Sequence, residues 1–219
     1  MEIVVLRHAE CLGNVDQGAY TRIPDHALPL TPRGSAAAAA LGPAVRARLG
    51  AGPVACYVSP YLRARRTLEL LALSDLLERV VPEPRLREQD WGNLQDPAGQ
   101  ALARHERDQF GHFFYRFERG ESGADVDDRV AAFVAELEHR VVTEPAHPRT
   151  VLLVTHGLTM RLLARRLFGW SVELFESLSN PEPGEHRVLR RAGGRWWLDR
   201  PFAQWRDSPD GTTQASALL

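Results

Sequence analysis

The sequence predicts an α/β fold, a three-layer α/β/α sandwich with a mostly parallel central sheet. Two observations carry this expectation. Short apolar runs at residues 3–6, 54–58 and 151–154, each closed by polar or turn-forming residues, have the length and composition of buried strands. Longer segments with apolar residues at helical spacing lie between them, so strands and helices alternate, as in a parallel sheet covered on both faces. The chain has 219 residues, 44% of them hydrophobic. A single domain of that size buries roughly 70% of the surface its unfolded chain exposes, and needs neither disulfide nor structural metal to complete its core.

The elements follow in order. After the first strand, residues 11–32 hold Gly13, Gly18, Pro24, Pro29 and Pro32, which break any helical period and predict a loop. Thr31 then caps a helix with Pro32 at its first position, running through an Ala-rich stretch to Gly50. The second strand leads into Ser59-Pro60, read as the cap of a helix reaching about Ala72. Val80 and Val81 suggest a short third strand. Residues 97–118, rich in aromatics and charges, read as helical and form the centre of an insertion at about 93–122. Val126, Val130, Phe133, Val134, Leu137 and Val141 recur at helical spacing over 125–142. The strand at 151–154 precedes a helix at 157–168, and residues 187–198 read as a hairpin turning at Gly193-Gly194. Residues 1–207 thus make one domain, followed by a flexible tail at 208–219.

Composition excludes several classes of function. The chain has no lysine; all 27 of its Lys-plus-Arg residues are arginine, which removes Schiff-base chemistry and a Walker-type phosphate loop. A net charge of −1 lacks the basic excess of a nucleic-acid binder. No apolar run approaches the ~20 residues of a membrane span, and the first seven residues contain no secretory core. We therefore expect a cytoplasmic protein without nucleic-acid or membrane partners. Cys11 and Cys56 are too few for a disulfide framework or a zinc site, and no histidine pair has the spacing of a metalloprotease helix.

Three polar clusters follow predicted strands directly: Arg7-His8-Ala9-Glu10, Ser59 to Ala64 with Arg63, and Thr155-His156-Gly157. In a parallel sheet, strand ends converge on one edge, where ligands bind. Two imidazoles and two guanidiniums suit a phosphoryl group better than a metal, because arginine forks match phosphate oxygens and repel a second cation. A neutral histidine can also be the nucleophile that divides phosphoryl transfer into two easier steps.

Leu6-Arg7-His8-Ala9-Glu10 resembles the RHG signature of the histidine phosphatase superfamily, the phosphoglycerate-mutase-like group. The similarity continues through Asn14, Leu30-Thr31-Pro32-Arg33-Gly34, the Ser59–Thr67 segment, Leu86-Arg87-Glu88-Gln89-Asp90-Trp91-Gly92, Gly120-Glu121-Ser122 and Val154-Thr155-His156-Gly157. It is nearest to the metal-free branch whose general acid lies in an L-x-E-x-x-x-G segment. The resemblance implies a phosphoglycerate-mutase-like fold, no cofactor and no metal. It implies that His8 carries a phosphohistidine, that Arg7 and Arg63 clamp the phosphate, and that His156 stabilises developing negative charge. Glu88 would protonate the leaving oxygen and then activate water. Asn14 and Thr21 would reach the phosphate or substrate, Gly157 and Trp91 would line the pocket, and Glu10 would orient the arginines. Ala9 replaces the usual glycine and requires a negative φ. Arg66 stands where many relatives carry glutamine.

The implied function is a metal-independent phosphomonoesterase that hydrolyses a small phosphorylated metabolite and releases inorganic phosphate. The alternatives are a phosphoglycerate-type mutase and a non-catalytic regulator that binds phosphorylated ligands. The mutases are longer, with a further basic segment, where this chain offers only Arg104, Arg107 and Arg116 among acids and aromatics. Retention of all five of Arg7, His8, Arg63, Glu88 and His156 weighs against the regulator. A homodimer, common among relatives, is consistent with the sequence.

Overall fold

The computed structural model describes residues 1–92 and 96–214. Six strands form one sheet: β1 (Glu2–Arg7), β2 (Val54–Val58), β3 (Leu77–Pro82), β4 (Thr150–Thr155), β5 (His186–Ala192) and β6 (Arg195–Leu198), in the order β3-β2-β4-β1-β5-β6. The first four run parallel, while β5 and β6 add an antiparallel edge. Because β1, β2 and β4 are buried on both faces, their interiors (Ile3 to Leu6, Val54 to Val58 and Val151 to Val154) are apolar throughout rather than alternating.

Helix α1 (Leu12–Val15) and two 3₁₀ turns, Gln17–Thr21 and Asp25–Ala27, shape the expected loop after β1. Helix α2 (Pro32–Leu49) starts as its sequence dictates, with the Thr31 hydroxyl accepting the Gly34 amide and Pro32 in the first turn, and ends at Gly50 with φ +74°. Helix α3 (Leu62–Leu70) packs beside α2, and Val4, Leu6, Val45, Leu49, Cys56, Leu68, Leu152 and Val154 form the core on that face. On the other face α5 (Gly123–Thr143) and α6 (Gly157–Phe168) cover Ile3, Val5, Ala55, Tyr57, Val151 and Leu153. Helix α4 (Pro97–Phe110) occupies the expected insertion and α7 (Val172–Ser177) follows α6. Residues 93–95 of the insertion lie outside the described residues.

Two local readings give way to tertiary contacts. Ser59 does not cap α3, which starts at Leu62 with N-cap Tyr61 making no side-chain cap bond; the Ser59 oxygen accepts the Tyr61 amide at 3.3 Å and the hydroxyl also bonds the His156 ring. The helix expected over 97–118 stops at Gly111, whose φ of +108° favours glycine. Beyond it, the amides of His112 and Phe113 donate to the Glu176 carboxylate of α7 at 2.9 and 2.7 Å. Of the expected flexible tail, Thr212 bonds Ser171 at 3.0 Å and Gln214 exchanges two hydrogen bonds with the Phe202 backbone; residues 215–219 lie outside the described residues. No helix among the described residues is long and apolar enough to cross a membrane.

Candidate active site

Sheet register brings the polar clusters to one level. Arg7 pairs with Thr155 across β1 and β4, and Val58 pairs with Val154 across β2 and β4. His8, Ser59 and His156 each stand one residue past the carboxyl end of a strand. The ladder reaches into the loops, with the His8 amide donating to Thr155 O and the Ser59 amide to Val154 O, both at 2.9 Å. Helix α2 and helix α6 leave β1 and β4 on opposite faces, which opens a crevice between these two neighbouring strands.

His8 is buried, and its Nδ1 lies 2.8 Å from the Ala9 carbonyl oxygen. A carbonyl only accepts, so Nδ1 carries the proton and Nε2 keeps its lone pair. Burial, with Arg63 and Arg7 nearby, pushes the imidazole well below the ordinary histidine range and holds it neutral. Arg63 Nε approaches His8 Nε2 to 3.3 Å. Ala9 is not among the described residues with positive φ, so its methyl is accommodated without backbone strain. Its amide donates to Thr67 Oγ1 at 2.9 Å, and Thr67 Oγ1 in turn donates to Arg63 O at 2.7 Å.

The His156 ring centroid lies 5.1 Å from that of His8, at an interplanar angle of 60°. Its Nε2 is 2.8 Å from the Ser59 hydroxyl. Its Nδ1 is buried without a hydrogen-bond partner, 3.8 Å from Glu88 Oε2. A hydroxyl can donate or accept; where Ser59 donates to Nε2, Nδ1 carries a hydrogen available to an anion. Burial lowers this imidazole too, and the cations around it act in the same direction. Glu88 keeps 23% of its side chain exposed, and its Oε1 accepts the Gln89 amide at 3.0 Å. Burial raises its carboxyl above the ordinary glutamate range, although Arg63 opposes the rise.

Arg63 is 1% exposed and is held by Asp25, its NH1 donating to Asp25 O at 2.7 Å and Oδ1 at 2.8 Å. Tyr61 lies beneath it, 5.0 Å from guanidinium carbon to ring centroid. Arg7 donates to Pro181 O, and its Nε is buried without a partner. A cavity of about 660 Å³ adjoins this group, lined by Arg7, Asn14, Asp25, Tyr61, Glu88 and Trp91 among others. The arrangement offers a neutral imidazole lone pair, fixed cations around it and a carboxyl held toward its protonated form. Those are the parts that transfer of a phosphoryl group requires. Among the described residues, no three His, Cys, Asp or Glu side chains are grouped to hold a metal ion.

The structure thus gathers Arg7, His8, Arg63, Glu88 and His156, and other expectations fare differently. Thr21 is not part of the cavity wall; its hydroxyl is spent on Gly18 O at 2.8 Å, within its own 3₁₀ turn. Glu10 does not orient Arg7 or Arg63. It accepts from Thr31 Oγ1 at 2.6 Å and pairs with Arg33, fastening the loop to the start of α2. Asn14 lines the cavity, and its Oδ1 closes a turn on the Cys11 amide at 2.9 Å. Gly157 opens α6 where a Cβ would stand 2.9 Å from Asn180 Cγ, so its size permits that approach. Trp91 lines the cavity while stacking on Phe117 at 4.3 Å. Asp25, Asn180 and Arg161 were missed. Asp25 carries no periodic signal, but Arg161 is the lone charge in the mostly apolar run 158–164, which marks it for a buried polar role.

The family model of the histidine phosphatase superfamily (branch 1) matches residues 3–204. Phosphoglycerate mutase-like protein AT74 of Arabidopsis thaliana is 40% identical over 228 residues, covering 95% of this chain and 72% of that protein. The broad-range acid phosphatase DET1 of Saccharomyces cerevisiae is 41% identical over 133 residues, covering 59% of this chain and 40% of that one. Among solved structures, a native mycobacterial glucosyl-3-phosphoglycerate phosphatase superposes with a TM-score of 0.72 at 26% identity, covering 90% of this chain and 96% of that one. With the family model spanning nearly the whole chain over a site of this geometry, the chain belongs to branch 1 of the histidine phosphatase superfamily and is an enzyme of the phosphatase class.

Proposed function

We propose that the chain is a metal-independent phosphomonoesterase that hydrolyses a small phosphorylated metabolite through a phosphohistidine at His8. The observation that carries this reading is the hydrogen bond from His8 Nδ1 to the Ala9 carbonyl, which leaves Nε2 unprotonated beside Arg63. Nε2 attacks phosphorus while the bond from phosphorus to the leaving oxygen breaks, and Glu88 delivers its proton to that oxygen. Arg7, Arg63 and the Nδ1 hydrogen of His156 face the equatorial oxygens as charge redistributes. Glu88, now a carboxylate, takes a proton from water, which attacks phosphorus; the bond to Nε2 breaks, and inorganic phosphate and neutral His8 are restored. The partial exposure of Glu88 lets water reach this step, which favours hydrolysis over return of the phosphoryl group to a second hydroxyl.

The test is release of inorganic phosphate from p-nitrophenyl phosphate with chelator present, followed by acid-free mass spectrometry of enzyme quenched during turnover. The reading expects one phosphoryl group on His8 and no turnover by a folded His8→Ala variant. A label on another side chain, or turnover by His8→Ala, overturns it.

A further inference from the structure

The cavity holds more positive charge than one phosphate uses. Six arginines line or adjoin it: Arg7, Arg22, Arg63, Arg104, Arg107 and Arg161. Arg22 is paired with Asp16 and Arg63 with Asp25. Among the described residues, no carboxylate lies within ion-pair distance of the other four. Arg7 is accounted for by the phosphate site. The remaining three come from α4 and α6, away from the nucleophile loop. Arginines elsewhere that are comparably withdrawn from solvent, such as Arg129, Arg165 and Arg187, do pair with acids.

Each of the three is held in place by neutral groups. Arg161 is 2% exposed; its Nε donates to Asn180 Oδ1 at 2.9 Å and its NH1 to Leu178 O at 2.8 Å, and Phe175 lies 4.7 Å below it. Arg107 lies over Trp91 at 4.8 Å, and its Nε is buried without a partner. Arg104 lies over Trp91 at 5.2 Å and donates to Gln17 Oε1 at 2.5 Å. The nearby acids are committed elsewhere: Glu176 to the amides of His112 and Phe113, and Asp108 to the His112 ring at 3.0 Å. Burial and the neighbouring Arg107 lower the Arg161 guanidinium to about 10, the mark of a cation lacking its counter-ion. Asn180 adjoins both Gly157, the chain neighbour of His156, and Arg161, so the two regions share a wall. Trp91 has Phe117 stacked on one face and the guanidiniums of Arg104 and Arg107 close to its ring.

Resting on the phosphatase reading, we infer that Arg104, Arg107 and Arg161 form a second anion subsite, and that the substrate is a phosphate monoester whose alcohol portion carries another anionic group, a carboxylate or a second phosphate. The monoester phosphate sits over His8 and the distal anion supplies the counter-charge that the α4–α6 wall lacks. Rigid guanidinium forks supported on aromatic rings suit planar, bidentate recognition of such a group.

The experiment compares kcat/KM of the wild-type enzyme within matched pairs: 3-phosphoglycerate against glycerol 3-phosphate, and fructose 1,6-bisphosphate against fructose 6-phosphate, with p-nitrophenyl phosphate as reference. Charged hydrogen bonds of this kind are worth a preference on the order of tenfold to a hundredfold for the doubly anionic member. The pair showing the larger preference tells carboxylate from phosphate. Arg107→Gln and Arg104→Gln, checked for folding by thermal melts, should reduce that preference about tenfold, mainly through KM, while Arg195→Gln on the β5–β6 hairpin leaves it unchanged. Equal kcat/KM within both pairs, or a preference that survives both substitutions, overturns the subsite while hydrolysis of p-nitrophenyl phosphate leaves the phosphatase reading standing. Failure to hydrolyse any ester overturns both.

Discussion

Glu88→Gln separates proton transfer from every other contribution of this side chain. Glutamine has the same shape, and its amide oxygen can still accept the Gln89 amide that Oε1 accepts at 3.0 Å, so the segment that carries it stays in place. What is lost is the proton that burial keeps available on the carboxyl. General acid catalysis contributes roughly 10²–10⁴-fold, about 2.7–5.4 kcal/mol at 1.36 kcal/mol per decade. An alkyl phosphate, whose leaving alkoxide needs the proton, should lose that whole factor in kcat/KM. p-Nitrophenyl phosphate has a leaving group stable as an anion, and its phosphorylation step should be little affected. Its second step still needs Glu88 as base. Rapid-mixing measurement should therefore show a burst of about one nitrophenolate per site followed by slow turnover, with phosphohistidine accumulating. Equal losses for alkyl and aryl esters, or an aryl reaction without a burst, would refute Glu88 as the proton carrier.

The buried, neutral imidazoles give a signed pH dependence. His8 and His156 have folded-state values depressed below the unfolded 6.5, so they do not penalise folding above that pH, whereas below it the unfolded chain gains protons that the native state refuses. Melting temperature should fall as pH drops from about 6.5, and inorganic phosphate, which favours their protonation, should weaken the trend. Activity should decline on the alkaline side as Glu88 loses its proton and on the acid side as His8 gains one, placing the optimum below neutrality; an alkaline optimum in kcat/KM would contradict the assignment. Asp25→Asn weakens the hold on Arg63 and should lower kcat/KM roughly tenfold, the worth of a charged hydrogen bond, with a smaller change in folded content by circular dichroism. Gly34→Ala would set a methyl 2.0 Å from the Glu10 carbonyl oxygen, backbone against backbone. It should cost about 1–3 kcal/mol, read as a fall of several degrees in the melt.

Much of the fold was legible because local pattern and tertiary role agreed. Residues 54–58 and 157–168 were placed without error, the first because a strand buried on both faces is apolar throughout and the second because Gly157 and Gly169 bound an amphipathic run. Helix α7 was missed, since six residues with Ser171 as their main signal carry little periodicity. Ser59 was misread because α3 starts three residues later, at Leu62; its oxygen accepts only the Tyr61 amide, at 3.3 Å, and the hydroxyl also meets the His156 ring, 97 residues onward. Of the site, the histidines and Arg7 were readable because each follows a strand end, and Glu88 because of its resemblance-bearing segment. The roles expected of Thr21 and Glu10 find no support in the geometry, because both side chains engage near at hand, Thr21 with Gly18 and Glu10 with Thr31 and Arg33. Asp25 and the cations on the far wall acquire meaning only from neighbours that the chain order keeps apart.

The Thr67 hydroxyl, which receives the Ala9 amide and gives its own hydrogen to Arg63 O, joins two segments that each supply one tool of the reaction. The aim of the imidazole and the seat of the guanidinium are therefore tied through a single oxygen that solvent does not reach. A disturbance of either segment is transmitted to the other as misalignment, so damage to this buried atom should spoil the chemistry before it unravels the protein.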